Sequence, residues 1–291
     1  MIDHHFIVGV PTYNRSHLVD RIYQSLIAQN HLKWTLVFID DHSLDNTDEV
    51  LSTLKEKDIR VRSERMKTNS GVNKVRNRIV DVAKKIDPEA YLVFIDDDDC
   101  LALNCLELLN KEIIENPGYG WYTLDCSFPS GEKITRMKRY GELSYLRDYM
   151  FGKVIRGDLT HVLFLQTVKE ERFTEEFKNA EEWYFWCNLS YRLPLFAINA
   201  VGSIKEYLPE GITQSGMNRD KAIQVLEFKI KSLEPIVEES ELLHQYVTLV
   251  KLYLKKNNGD TKKPRELLRK VFKLSPLYFR QYKYWIKMLY M

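Results

Sequence analysis

Cysteine is scarce. Four residues, Cys100, Cys105, Cys126 and Cys187, are spread through 291 positions. Their spacing fits no zinc-ligand pattern, and so few thiols in a chain this long imply reduced side chains, not a disulfide framework. Long apolar runs are missing as well. No stretch approaches 18 consecutive apolar residues, so the sequence predicts no membrane span. The start, MIDHHFIVGVPTYN, has no basic region followed by an apolar core, so no secretory leader is expected there. No G-x-G-x-x-G follows the first apolar run, which argues against a dinucleotide enzyme, and no Walker A motif occurs. Charge of one sign is not in excess either. The formal net charge is +2, with 29% charged and 44% hydrophobic residues, the composition of an ordinary globular protein. That small total hides an asymmetry. Residues 255–291 carry 11 Lys and Arg against 2 Asp and Glu, so an acidic body is followed by a basic end.

Strand and helix patterns alternate over the first 115 residues. Apolar runs at 6–10, 35–39, 59–63 and 91–95 read as strands. Helical periodicity covers 16–29, with Ser16 as a possible cap, then 47–57, 71–85 and 102–114. This alternation predicts an α/β fold with a mostly parallel, doubly wound sheet. Ligands in such folds bind beyond the carboxyl ends of the strands. The polar clusters fall there: Pro11-Thr12-Tyr13-Asn14, Asp40-Asp41 and Asp96 to Asp99. From 121 to 216 the pattern is mixed. A hairpin is expected from strands 121–128 and 133–137 with Ser130-Gly131 as its turn, and an aromatic helix over 173–193. Beyond 216 only helices are predicted, at 220–237, 239–256, 263–274 and from about 277, with a breaker at 257–260. The domains expected are therefore 1–215, split into a nucleotide-binding half (1–100) and an acceptor half (101–215), and a helical basic extension, 216–291.

The chemistry centres on Phe94-Ile95-Asp96-Asp97-Asp98-Asp99. Adjacent carboxylates at a strand end repel one another, and burying them unpaired is costly. They read either as a solvated acidic turn or as ligands of Mn2+ or Mg2+, hard ions that share carboxylates with substrate phosphates. Asp96 and Asp98, two apart on extended chain, share a face and can act together. The Pro11-Thr12-Tyr13-Asn14 turn offers a ring and amides for a base and ribose, or is a plain turn. The Asp40-Asp41-His42-Ser43 run offers a carboxylate that can accept a uracil imide proton, or it is a helix cap. Gly71 opens a helix whose start either favours an anion or is a plain loop-to-helix junction. Glu181-Glu182-Trp183 either supplies a base for an acceptor hydroxyl or complements a helix dipole.

Taken in order, PTYN at 11–14, DDHS at 40–43, GVNKVRN at 71–77, DDDD at 96–99 and EEWYFW at 181–186 resemble the family 2 glycosyltransferases over about residues 6–215. The resemblance implies a GT-A fold and inverting transfer of a sugar from a nucleotide donor, most readily a UDP-sugar. It further implies that Pro11, Tyr13, Asn14 and Asp41 surround the nucleotide, with Arg76, Asp96 and Asp97 nearby. Asp98 with Asp96 would hold the metal, and Glu182 would be the general base, in place of the aspartate usual there. The family histidine that often completes the metal shell has no counterpart in residues 207–211. His161 is available, though a lone histidine in an apolar stretch reads first as structural. The Q-x-x-R-W signature of processive relatives is absent, so transfer of one sugar is expected, onto a glycan or lipid-linked acceptor, with bacterial surface polysaccharide as the setting.

Residues 242–277 resemble one tetratricopeptide-type hairpin, which must bury its face on the body or in a homo-oligomer. The tail, PLYFRQYKYWIKMLYM, mixes cations and aromatics in a way that suits peripheral membrane contact or packing on the body. Nucleic acid is not an expected partner, since no known module is present. The expected location is the cytoplasm, at the inner face of the membrane if the tail docks there. A sugar nucleotidyltransferase and a non-catalytic sugar-nucleotide or glycan-binding module are the rival readings. The first would need a glycine-rich basic loop where PTYNR stands, and the second leaves the aspartates and Glu182 without a role.

Overall fold

The computed structural model describes residues 3–178, 181–206, 218–256, 261–278 and 281–289. The chain forms two compact units, Met1–Glu210 and Gly211–Met291. In the first, the strands are β1 (Phe6–Thr12), β2 (Trp34–Asp40), β3 (Val61–Arg65), β4 (Tyr91–Phe94), β5 (Asp99–Leu101), β6 (Trp121–Ser127), β7 (Arg136–Met137), β8 (Gly141–Leu143), β9 (Ile155–Arg156), β10 (Leu159–Phe164) and β11 (Leu195–Lys205). The helices are α1 (Val19–Ile27), α2 (Thr47–Lys57), α3 (Val72–Ile86), α4 (Cys105–Glu115) and α5 (Trp183–Ser190).

The described residues build one nine-stranded sheet in the order β3-β2-β1-β4-β10-β6-β11-β5, with β8 on β11. Strands β3, β2, β1 and β4 are mutually parallel. β10 runs antiparallel between β4 and β6, which makes β6, and β11 parallel to it, run the same way as β4. The carboxyl ends of β1, β2, β4, β6 and β11 therefore share one edge. The parallel strands are near-continuous apolar runs because helices cover both faces, and Phe6, Val8, Leu36, Phe38 and Val93 are fully buried. Pro11 is tolerated inside β1 because its pairing with β4 stops at Gly9.

Several sequence expectations are corrected. Ser16 does not cap α1, whose first turn begins at Val19 after Leu18. The aromatic helix expected over 173–193 is only α5. Residues before it are held out of helix because the Asn73 amide donates to the Thr174 and Phe177 carbonyls and the Asn77 amide to the Phe173 carbonyl. The hairpin turn forms at Gly131 (φ 86°), but beyond a bridge between Ser127 and Lys133 the second arm leaves β6 and pairs as β7 with β9. Sequence periodicity also missed β11, whose 11 residues are interrupted by register shifts between Ile198 and Ser203.

The second unit holds α6 (Arg219–Leu233), α7 (Leu243–Lys256), entered through a 3-10 turn at Glu239–Leu242, α8 (Lys262–Leu274) and α9 (Tyr282–Leu289). Tyr246, Val250 and Leu254 on α7 are buried with Leu268 and Val271 on α8. Lys270 is bound by Glu234 and Glu239. The last helix starts at Tyr282, later than the expected 277, after a turn in which the buried Gln281 amide donates to the Ser275 and Pro276 carbonyls. The expected boundary near 216 and the breaker at 257–260 lie outside the described residues. Among the described residues no helix is long and apolar enough to cross a membrane.

Gly9 sets the approach of α3 to the sheet, since a Cβ there would lie 2.3 Å from Ile79 Cγ2 and 3.2 Å from Leu92 Cδ1. Gly9→Ala is expected to lower stability by about 1–3 kcal/mol through overpacking. Urea denaturation reads this as a drop in midpoint at unchanged slope; an unchanged midpoint would mean that Ile79 can move aside.

Candidate active site

Two turns at the carboxyl edge are stitched together. Asn14, at φ 54°, donates its backbone N–H to Ser43 Oγ at 2.8 Å, and its Oδ1 accepts from Leu44 N–H at 2.7 Å. Buried Asp40 accepts from Ser43 N–H at 3.0 Å. Tyr13 projects from this join and is 40% exposed. Asp41 is buried and accepts from Ser70 N–H at 2.7 Å and Gly71 N–H at 2.8 Å. The anion-favouring start of α3 and the carboxylate singled out for a nucleotide base thus meet each other. Each carboxylate oxygen still has acceptor capacity for one further donor. Gly71 sits at φ 89° with Lys178 O only 2.2 Å from where a Cβ would be, so only glycine fits.

The acidic run follows β4 directly. Asp96 accepts from Arg76 Nη2 at 2.8 Å and lies 3.9 Å from Lys205 Nζ. Burial pushes its carboxyl up, but Arg76 and Lys205 together hold it below the ordinary value. Asp99 is nearly inaccessible and bonds Lys205 Nζ at 2.5 Å, because β5 and β11 set the two residues opposite each other. Burial alone would lower Lys205, yet Asp96 and Asp99 outweigh it and raise the ammonium pKa. Asp97 lies 4.0 Å from Arg15 Nε, and burial, aided by the like charges of Asp98 and Asp96, pushes it up to about 7. Burial and then Asp96 likewise push Asp98 up. Among the described residues no cation stands at ion-pair distance from Asp98.

Glu182 is the N-cap residue of α5. Its carboxylate lies 3.3 Å from Arg76 Nη1, so one guanidinium spans Glu182 and Asp96. Arg76 is 13% exposed along its side chain; burial opposes its charge, and Asp96 and Glu182 more than restore it. Behind it Phe173 stacks on Phe185 with ring centroids 4.2 Å apart, and Phe94 and Trp186 pack edge-on to Phe173. These rings fix α5 against the end of β4. Glu181, at φ 66°, turns the chain into α5 and accepts from the Trp183 indole.

The structure therefore brings Arg76, Asp96 and Glu182 into contact and sets Asp97 and Asp98 beside them. His161 stands elsewhere, in a ring stack. It is buried, lies 3.8 Å from Trp186 centroid to centroid, and accepts from Trp121 Nε1 at 3.1 Å through Nδ1. Sequence reading missed Lys205, Asn73 and Asn77. The two asparagines lie at i and i+4 in GVNKVRN, on one helix face, a spacing that could have flagged them. Lys205 carried no local signal.

The donor set suits a hard divalent ion. Asp98 is a carboxylate without a protein cation beside a half-open Asp96, and magnesium and manganese bind through one or two carboxylates plus substrate phosphates. Among the described residues no three His, Cys, Asp or Glu side chains form a ligating cluster. Residues 207–211, where a further ligand was sought, lie outside the described residues.

Residues 7–167 match the family described as glycosyl transferase family 2, and the chain belongs to that family. Its fold is GT-A. A crystal structure of Staphylococcus aureus TarS residues 1–349 in complex with UDP-GlcNAc superposes with a TM-score of 0.67 at 19% identity, over 93% of this chain and 81% of that one. The mannosyltransferase PcManGT from Pyrobaculum calidifontis, in complex with GDP-Man and Mn2+, gives 0.56 at 14% identity, over 98% of this chain and 84% of the other. Among sequences, the chain is 24% identical over 225 residues to the Escherichia coli UDP-Glc:alpha-D-GlcNAc-diphosphoundecaprenol beta-1,3-glucosyltransferase WfgD, covering 76% of this chain and 82% of that protein. It is 26% identical over 189 residues to a Campylobacter jejuni GalNAc(5)-diNAcBac-PP-undecaprenol beta-1,3-glucosyltransferase, covering 62% of this chain but only 58% of the relative.

The His161 stack yields a pH prediction. Burial, with Lys205 and Arg76 nearby, lowers the imidazole to about 3 from an ordinary 6.5. The folded state keeps it neutral while the unfolded chain takes up a proton, so stability falls as pH drops from 6.5 towards 3, by about 1.4 kcal/mol per pH unit for this group. His161→Phe removes that slope. It leaves Trp121 without its acceptor, so the variant is less stable at pH 7 by about 1–3 kcal/mol. The gap should close by pH 5 and reverse below it; a gap constant from pH 7 to 4 would refute the buried neutral imidazole.

Proposed function

We propose that this glycosyltransferase inverts the anomeric centre while moving one sugar from a UDP-sugar to a lipid-linked glycan, in the synthesis of a bacterial surface polysaccharide. The observation that carries the reading is the Arg76 guanidinium shared by Asp96 and Glu182, which joins the donor-side acidic run to the candidate base. Relatives named for transfer from UDP-Glc onto a diphosphoundecaprenol-linked sugar, and a fold neighbour in complex with UDP-GlcNAc, support the donor and acceptor classes. The absence of Q-x-x-R-W supports a single transfer.

In this reading Tyr13 stacks on the base at the mouth of the site, Asp41 accepts its imide proton, and Pro11 and Asn14 keep the turn around the ribose. Asp98 and Asp96 hold Mn2+ or Mg2+, with Asp97 behind them. The ion supplies charge stabilisation to the departing diphosphate. Glu182 removes the proton from the acceptor hydroxyl as that oxygen attacks, and Arg76 keeps the Glu182 carboxylate turned towards the acidic run. Lys205 holds Asp99 away from the ion and supports Asp96. Work at the inner face of a membrane, with the basic aromatic tail as a peripheral contact or the helices pairing two copies, completes the proposal.

Two variants test it. In calorimetric titration UDP should bind the wild-type chain more tightly with manganese than without, and Asp98→Ala should lose that difference. Glu182→Gln should leave UDP affinity unchanged and lower kcat by about 100- to 10,000-fold. Binding of GDP in preference to UDP would keep the fold and overturn the uracil assignment of Asp41. If no nucleoside diphosphate bound with or without metal, the reading would fall to a glycan-binding module.

A further inference from the structure

The acceptor reading leaves the acceptor's own diphosphate without a holder. Arg136 on β7 and Arg156 on β9 stand directly opposite each other in a two-stranded antiparallel ladder. Like charges so placed destabilise a strand pair. Both side chains are exposed, and among the described residues neither makes an ion pair or side-chain hydrogen bond. They line a groove of about 320 Å3 with Lys133 and Glu132. The Lys133 ammonium is already committed to Asp125 at 2.6 Å. Glu132, the acid on the lining, pairs with neither arginine.

The groove is built rather than incidental. Gly157, at φ 82°, lets the chain pass so close that a Cβ would lie 2.2 Å from Ile134 O. The Thr135 hydroxyl donates to the Asp158 carbonyl and accepts from Cys126 N–H on β6 at 2.7 Å. That β6 end is paired, Ser127 with Ile204, one residue before the Lys205 that holds Asp99. The groove therefore opens at the same sheet edge as the acidic run.

We propose that the Arg136–Arg156 groove binds the diphosphate of the acceptor, an inference that rests on the lipid-linked reading above. Two planar guanidinium forks match two phosphate groups bidentately. No ion pair has to break first, and the bound anion relieves the repulsion between the forks. Polar burial at Thr135 and the glycine at 157 fix the backbone that carries the two arginines before the ligand arrives, which limits the backbone part of the ordering cost of binding.

The test uses the full chain saturated with UDP and manganese, titrated with farnesyl diphosphate, inorganic diphosphate and glucuronate. R136A/R156A should weaken both diphosphate probes by at least about tenfold, R136K/R156K should weaken them by a smaller factor, and UDP affinity should be unchanged in both. Equal affinity of wild type and R136A/R156A for farnesyl diphosphate would overturn the proposal. So would a loss confined to farnesyl diphosphate, which would put the arginines on the hydrocarbon, or tight glucuronate binding without diphosphate binding, which would make this a carboxylate site. Failure of the donor reading is seen separately, as absent UDP binding.

Discussion

One buried guanidinium organises the catalytic unit. Arg76 rises from the second turn of α3 and reaches Asp96 beyond β4 on one side and Glu182 at the head of α5 on the other. A buried cation with a missing partner is expensive, and removing one member of such a set leaves the others uncompensated. The three elements are therefore tied in their relative positions by charge as well as by packing. The aromatic layer of Phe94, Phe173, Phe185 and Trp186 supplies the apolar side of the same junction. It lowers the local dielectric around the guanidinium, which strengthens the pairing and raises the penalty for breaking it.

That arrangement divides the four consecutive aspartates into roles. Asp96 is held ionised by Arg76 and Lys205, and Asp99 is neutralised by Lys205 from the neighbouring strand. Asp97 is pushed to about 7 inside the turn, near Arg15. Among the described residues Asp98 has no cation at ion-pair distance, and Lys205 and Arg15 act on it only from farther off. A sequence of identical residues thus acquires different electrostatic settings from its surroundings: Asp96 is held low by its cations, while burial pushes the other three up. The protein's own cations absorb repulsion that a metal alone would otherwise have to offset.

Much of the donor half was legible because its signals are local. Apolar runs of about five or six residues ending in Pro or Asp mark β1, β2 and β4, and the glycine before α3 fits the φ of 89° found there. The carboxyl-edge rule then puts the polar clusters in one place. What stayed hidden depends on pairing between distant segments. β11 carries a register shift that blurs its alternation, so Lys205 had no visible partner until the sheet order set it opposite Asp99. The 173–178 segment has the composition of a helix, and it is the Asn73 and Asn77 amides, about a hundred residues earlier, that claim its carbonyls. The split of the hairpin at Lys133 is likewise decided by β9, not by the turn.

Asp41 shows how a residue proposed for ligand contact also has a structural part in the fold. Its carboxylate fills the amino end of α3 through Ser70 and Gly71, the position that backbone N–H groups and the helix dipole favour for an anion. Two N–H groups at this helix start are thus met by a side chain of the protein itself. The consequence is directional. The Ser70 and Gly71 N–H groups fix the Asp41 carboxylate in place, and in the proposed reading its remaining lone pairs accept from a base edge with an N–H to give. In the proposed reading phosphate recognition therefore comes from elsewhere along the same sheet edge, where Asp98 and Asp96 would recruit a cation to meet it.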